Sequence, residues 1–222
     1  MPLYHSLLSG IAMGDAQTHT AYKRANVSKE VGDKAIEELC EIGIIRVEKS
    51  KKIFTSWDED DGKKVSNKLY FASPFLRFWF AFVSPLFQSV RDGNFDEVRQ
   101  RFENRQSEFV QLPFAQLSHE FLKLNEKDDK IKEIGTYWDN NLELDIYAKT
   151  EDGKVVVGTC KYINSKLKKS VLTNLQESCK NAKIDADIFV IFSKNGFSNE
   201  LKSLKGDNLK LYTAKSFKLL LN

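Results

Sequence analysis

An acid and a lysine lie on two short apolar strands joined by a tight turn, a pattern suited to chemistry on phosphate. The first strand reads Leu142-Glu143-Leu144-Asp145-Ile146-Tyr147-Ala148, and the turn is Glu151-Asp152-Gly153. The second strand runs Lys154-Val155-Val156-Val157-Gly158-Thr159-Cys160-Lys161-Tyr162. Side chains alternate along a strand, so Val155, Val157, Thr159 and Lys161 share one face, with Val156, Gly158 and Cys160 on the other. Asp145 on the neighbouring strand can face the same space as Thr159 and Lys161. A strand carboxylate can hold Mg²⁺, which takes oxygen ligands in near-octahedral order. A neighbouring lysine can orient an attacking water and stabilise developing negative charge. A single carboxylate is nevertheless a poor site for so strongly hydrated a cation.

The elements that must position these residues follow from periodicity. Residues 4–13 and about 17–24 predict two short helices. A third, capped by Asn26 or Ser28, repeats Val31, Ala35, Leu39 and Ile42 as a buried stripe and closes at Gly43. Strands at Ile44–Lys49 and Lys68–Phe71 come next, separated by a charged wing tip, Asp58–Lys64. Three helices followed by a two-stranded wing predict a winged helix-turn-helix over 1–73. Residues 74–106 form an aromatic-rich helical connector, with Phe75, Phe78, Trp79, Phe82 and Phe87 expected to pack this domain against the C-terminal part of the chain. From 107 a helix (107–124), the strand pair, a lysine-rich helix (about 166–182), an apolar strand (188–192), a short helix (197–204), a strand (209–212) and a terminal helix predict a sheet covered on both faces. The fold class expected is α/β (α+β).

Bulk properties narrow the function classes. The chain has 222 residues with a formal net charge of +3, too small for binding nucleic acid by overall field alone. Its three cysteines, Cys40, Cys160 and Cys179, show no metal-binding spacing and suit a reducing compartment. No signal peptide is expected, and the apolar stretch 69–90 is interrupted by Arg77, Pro74 and Pro85, so a cytoplasmic chain is expected. His5, His19 and His119 recur at no ligand spacing. No Gly-x-x-x-x-Gly-Lys-Ser/Thr loop is present to cradle nucleotide phosphates.

Three stretches carry a resemblance: Ile134-Gly135-Thr136-Tyr137-Trp138-Asp139, Glu143 to Ala148, and Val157-Gly158-Thr159-Cys160-Lys161-Tyr162. With them, residues 107–222 resemble the restriction-endonuclease-like domain, of the PD-(D/E)XK type, at the C-terminus of archaeal-type AAA+ ATPases. Lys68 to Phe80 resembles the segment that joins winged helix to nuclease-like domain in that family. The resemblance implies a restriction-endonuclease-like mixed sheet flanked by helices, and an active site of a helix glutamate, a strand aspartate and Glu-x-Lys. Asp145 and Lys161 match that pattern. Thr159 replaces the strand glutamate, and Ala115, after Phe114, replaces the helix glutamate. Glu108 or His119, sharing a helix face with Ala115, or Glu177 on the following helix, are candidates for relocated ligands.

The basic residues offer a second kind of site. Lys29 and Lys34 on the third helix, with Lys49, Lys51 and Lys52 in the wing, could meet DNA phosphates, as could Lys166, Lys168 and Lys169 beside Lys161. Against this, the third helix also carries Glu30, Asp33, Glu37, Glu38 and Glu41. The expectation is a non-catalytic, degenerate nuclease-like DNA-binding or regulatory protein, with no cofactor, working with DNA and a separate ATPase chain. Two other readings stay open: a Mg²⁺-dependent DNA nuclease with relocated ligands, and a protein-interaction scaffold that binds no nucleic acid.

Overall fold

The computed structural model describes residues 3–12, 16–51, 66–125, 130–139 and 142–221. Lys52 and the wing tip Asp58–Lys64 lie outside the described residues. The chain divides into two compact units, the first comprising 1–49 with 64–105 and the second 50–63 with 106–222. Each has its own buried residues.

In the first unit, α1 (Leu3–Ala12), α2 (Thr18–Ala25) and α3 (Lys29–Glu41) precede β1 (Ile45–Glu48) and β2 (Lys68–Phe71). The two strands pair antiparallel, Ile45 opposite Phe71 and Glu48 opposite Lys68. The Ser28 hydroxyl caps α3 by accepting from the Val31 amide. At the other end Gly43 takes a positive φ of 72°, while the Ile44 amide returns to the Leu39 carbonyl at 2.9 Å. The buried stripe of α3 is Gly32, Ala35, Ile36 and Leu39. Val31 and Ile42, expected inside, are 46% and 69% exposed. The cause is close approach at Gly32, where a Cβ would stand 2.5 Å from the Tyr22 ring. Only glycine lets α2 come so near, and this rotates the helix away from the stripe that size alone suggests.

Residues 74–91 form a broken helical run: Pro74–Phe78, a π turn at Trp79–Val83, a 3₁₀ turn at Ser84–Leu86, then Phe87–Arg91. Phe82 is fully buried, and the Phe78 and Phe82 rings pack on Phe102 with centroids 5.8 and 5.2 Å away. Phe75 and Phe87, expected as packing anchors, are 66% and 52% exposed. The π turn and Pro85 break the 3.6-residue period on which that expectation rests. Helix α4 then runs unbroken from Asp96 to Asn125, so the helix predicted over 107–124 begins eleven residues earlier. No glycine or proline stands near 106 to stop it, and Asn104 and Ser107 sit inside the helix rather than capping one; Pro113 removes one internal hydrogen bond.

The second unit is built on β3 (Ile131–Trp138), β4 (Glu143–Thr150), β5 (Val155–Lys161), β6 (Ile188–Ser193) and β7 (Leu209–Thr213), in that spatial order. The first two pairings are antiparallel and the last two parallel, a mixed sheet. Helix α5 (Ser170–Asn181) crosses between β5 and β6, and α6 (Asn199–Ser203) between β6 and β7. Phe114, Phe121 and Leu122 of α4, with Phe217 and Leu220 of a terminal 3₁₀ segment, cover Ile146, Ala148, Val156, Cys160, Val190 and Phe192. Leu172, Leu175 and Cys179 of α5 and Leu201 of α6 cover Val157, Ile191 and Leu209 on the opposite face. The outcome is a mixed α/β fold with a five-stranded sheet flanked by helices. Trp138, at the end of β3, is 1% exposed. Among the described residues, no helix is long and apolar enough to cross a membrane.

Helix α5 starts at Ser170 rather than near 166. The Leu167 amide donates to the Gly196 carbonyl at 2.9 Å, in a bridge that holds this part of the chain extended. Lys166, Lys168 and Lys169 therefore precede the helix, on the connection that leaves β5.

Candidate functional site

A bulge in β4 sets the site's geometry. Gly135 opposes Tyr147, but Tyr137 opposes Leu144, so β4 has an extra residue over that interval. Leu144 consequently packs beside Tyr137, Val157 and Leu175 on one face, while Ile146 packs on the α4 face. Asp145 sits at this change of phase, one residue beyond the last β4–β5 pair, Ile146 with Gly158. The register, continued, would set Cys160 opposite Leu144. Instead the Asp145 carboxylate supplies the acceptor: its Oδ2 takes the Cys160 amide at 2.8 Å and the Thr159 hydroxyl at 2.8 Å. Behind the strand, His119 Nε2 lies 2.7 Å from the Asp145 carbonyl oxygen. A carbonyl can only accept, so Nε2 carries the proton there.

The helix also grips the end of β5. Gln111 donates through Nε2 to the Cys160 carbonyl at 2.7 Å and accepts the Tyr162 amide on Oε1 at 3.0 Å. The Ser107 hydroxyl reaches the Tyr162 carbonyl at 3.0 Å. These side chains act as a substitute strand partner, fixing the backbone on both sides of Lys161. Sequence reasoning passed over Gln111, though it lies three residues after Glu108 and four before Ala115, on the helix face already singled out.

Thr159 is 8% exposed and Lys161 is exposed. Among the described residues Lys161 forms no ion pair, and Asp145 pairs with the threonine and an amide instead of with it. Glu108 and Glu177 are exposed, and Ala115 is half-buried. His119 reaches Asp145 by its backbone, not its carboxylate. Among the described residues, no three His, Cys, Asp or Glu side chains gather as a metal site. The Cys160 thiol is pushed well up by complete burial and then by the Asp145 charge, against opposing effects of Ser118 and Lys161. That thiol is inert packing.

The other predicted basic residues are scattered. Lys29 bonds to Asp33 one turn along α3, and the Tyr22 hydroxyl donates to the same carboxylate at 2.7 Å. Lys34 and Lys49 are exposed. Lys51 lies along β3: its amide donates to the Thr136 carbonyl at 3.1 Å, and its ammonium stands 3.5 Å from Glu133. Beside it, the Ser50 hydroxyl both donates to the Trp138 carbonyl at 2.6 Å and accepts the Trp138 amide at 2.8 Å. Lys169 is 3.7 Å from Glu200.

An open cleft of about 450 Å³ is lined by Gln176, Cys179, Lys183, Ile184 and Phe189. It belongs to the end of the sheet where α5 turns into β6, opposite the end that carries Asp145 and Lys161.

Comparison with known proteins gives two similarities. Residues 79–173 match the family DUF234, described as archaeal and bacterial proteins of unknown function. No curated protein matches the chain. Among solved structures, the chain is similar to a repair endonuclease from Pyrococcus abyssi, at 16% identity and a TM-score of 0.31, over 43% of this chain. The matched part spans 44% of that endonuclease.

Proposed function

We propose that this protein is a non-catalytic relative of PD-(D/E)XK nucleases that binds DNA without cutting it. The observation carrying this reading is the state of Asp145. One of its oxygens already accepts two hydrogen bonds, and the neighbouring position that should supply a second carboxylate holds a threonine donating to it. A divalent ion meeting this carboxylate would find one oxygen already engaged by two donors and would take nearly all its other ligands from water. The residue that in a nuclease grips the metal thus closes a strand end here.

The first unit's order of α1 to α3, β1 and β2 supports a winged helix-turn-helix. Its third helix presents Glu30, Glu37 and Glu41 to solvent, with Lys29 tied to Asp33. This unit therefore serves better for contact with protein, a separate ATPase chain being the partner proposed, than for contact with phosphate.

Incubation of the chain with plasmid and single-stranded DNA, in Mg²⁺, Mn²⁺ or EDTA, tests the proposal. The expected result is retention of DNA with no cuts in any condition. Metal-dependent cleavage abolished by Asp145→Ala or Lys161→Ala would overturn it.

A further inference from the structure

The connections that leave β5 and β6 are tied into one platform. The Lys194 amide donates to the Lys161 carbonyl at 3.1 Å, and the Leu167 amide to the Gly196 carbonyl at 2.9 Å. The Ser198 amide returns to the Leu167 carbonyl at 2.8 Å, and the Ser193 hydroxyl donates to the Gly196 carbonyl at 2.9 Å. Asn195 Nδ2 bonds the Asn164 carbonyl. Lys194 is itself held: its ammonium donates to Asn164 Oδ1 at 2.7 Å and lies 4.3 Å from the centre of the Tyr162 ring. The Tyr162 ring in turn packs on Phe114, with centroids 5.5 Å apart.

Four ammonium groups belong to this platform: Lys161, Lys166, Lys168 and Lys194. Among the described residues, none of the four forms an ion pair with a carboxylate. Lys161 and Lys194 extend from adjacent strand ends whose backbones bond to each other. A metal-using nuclease brings the cation needed to hold a phosphate as a divalent ion. Here threonine and alanine stand where two of the acids expected to hold that ion would be, and the third accepts two hydrogen bonds. We infer that Lys161 and Lys194, on their cross-tied loops, bind the phosphodiester backbone of DNA directly and without a divalent metal. The inference rests on the DNA-binding reading above and names the groups that do the binding.

Phosphate contacts are read by salt. Each lysine on a phosphate steepens the slope of log K against log salt by about 0.9, equivalent to roughly eightfold in affinity at 0.1 M salt. Anisotropy of a fluorescent DNA duplex, titrated with the full chain across salt concentrations, should give the same affinity in Mg²⁺ and in EDTA. Lys161→Gln and Lys194→Gln should each lower the slope by about 0.9 and the affinity by roughly eightfold, and Lys194→Arg should preserve both. Thermal melts show whether each variant is folded, and the arginine variant separates lost charge from a disturbed loop. Binding that needs Mg²⁺, or glutamine variants with unchanged slope, would refute the platform while leaving DNA binding in place. Displacement by polyglutamate as readily as by unlabelled duplex would refute it too, since the lysines would then read any polyanion. No binding under any condition would remove the DNA reading, and this inference with it.

Discussion

Asp145 places its carboxylate beside the end of β5. It satisfies the amide of fully buried Cys160 and the hydroxyl of Thr159, both at the end of a ladder. Leaving a buried donor unsatisfied costs about 1–3 kcal/mol. Asp145→Ala should therefore lower the unfolding free energy in urea by about that amount, and Asp145→Asn by less, because the amide oxygen can still accept. An alanine variant as stable as the parent would show that the contact holds nothing. A second carboxylate makes a pH prediction. Lys29, and then Tyr22, hydrogen-bond the charged form of Asp33 and hold its carboxyl below the ordinary aspartate range. A lowered folded-state value means the contribution is present above the unfolded-state pKa and is lost as pH falls through the folded one. The stability gap between parent and Asp33→Asn should thus be widest near neutrality and close as the solution is acidified below about pH 4. A gap independent of pH would exclude the ionic contribution.

At the scale of elements, two close approaches depend on glycine. A Cβ at Gly158 would stand 2.3 Å from Val190 Cγ2 and 2.6 Å from the Val190 carbonyl, so β5 could not keep its place beside β6. Gly158→Ala should cost about 1–3 kcal/mol by overpacking, measurable as a lower denaturant midpoint with unchanged slope. The elements themselves were largely legible: the period-two run from Val155 to Lys161, the Asp152-Gly153 turn and the apolar run 188–192 each became what their pattern predicts. What could not be read was phase. The bulge at Asp145 leaves no mark on a sequence whose hydrophobic residues flank it on both sides. The rotation of α3 depends on a tyrosine ring from another helix, and the early start of α4 on the absence of any stop signal. Likewise the acid–lysine pair was visible as types and spacing. That the acid would turn to a hydroxyl and an amide, leaving the lysine alone, depends on register beyond the last paired residue.

For the molecule as a whole, charge and metal separate the readings. A formal net charge of +3 is too diffuse to draw in DNA, whereas four ammoniums on two cross-tied connections concentrate positive charge locally. A ligand that binds only the native state raises its melting temperature. With no cluster of three ligating side chains among the described residues, the melting curve should coincide in Mg²⁺, Mn²⁺ and EDTA. A rise with either metal would mean a site is retained. Duplex DNA, by contrast, should raise the melting temperature, and the rise should fade with added salt.

The Thr159 hydroxyl bond has an implication for how such a protein could change. Replacing that threonine with glutamate would act twice at once, supplying a new anionic oxygen and freeing the one beside it from its present partner. Two requirements of ion coordination would thus arrive together through a single substitution, while the cost to the strand end would fall on the Cys160 amide. One position on β5 thus governs both the charge at this strand end and the bonding of its neighbouring carboxylate.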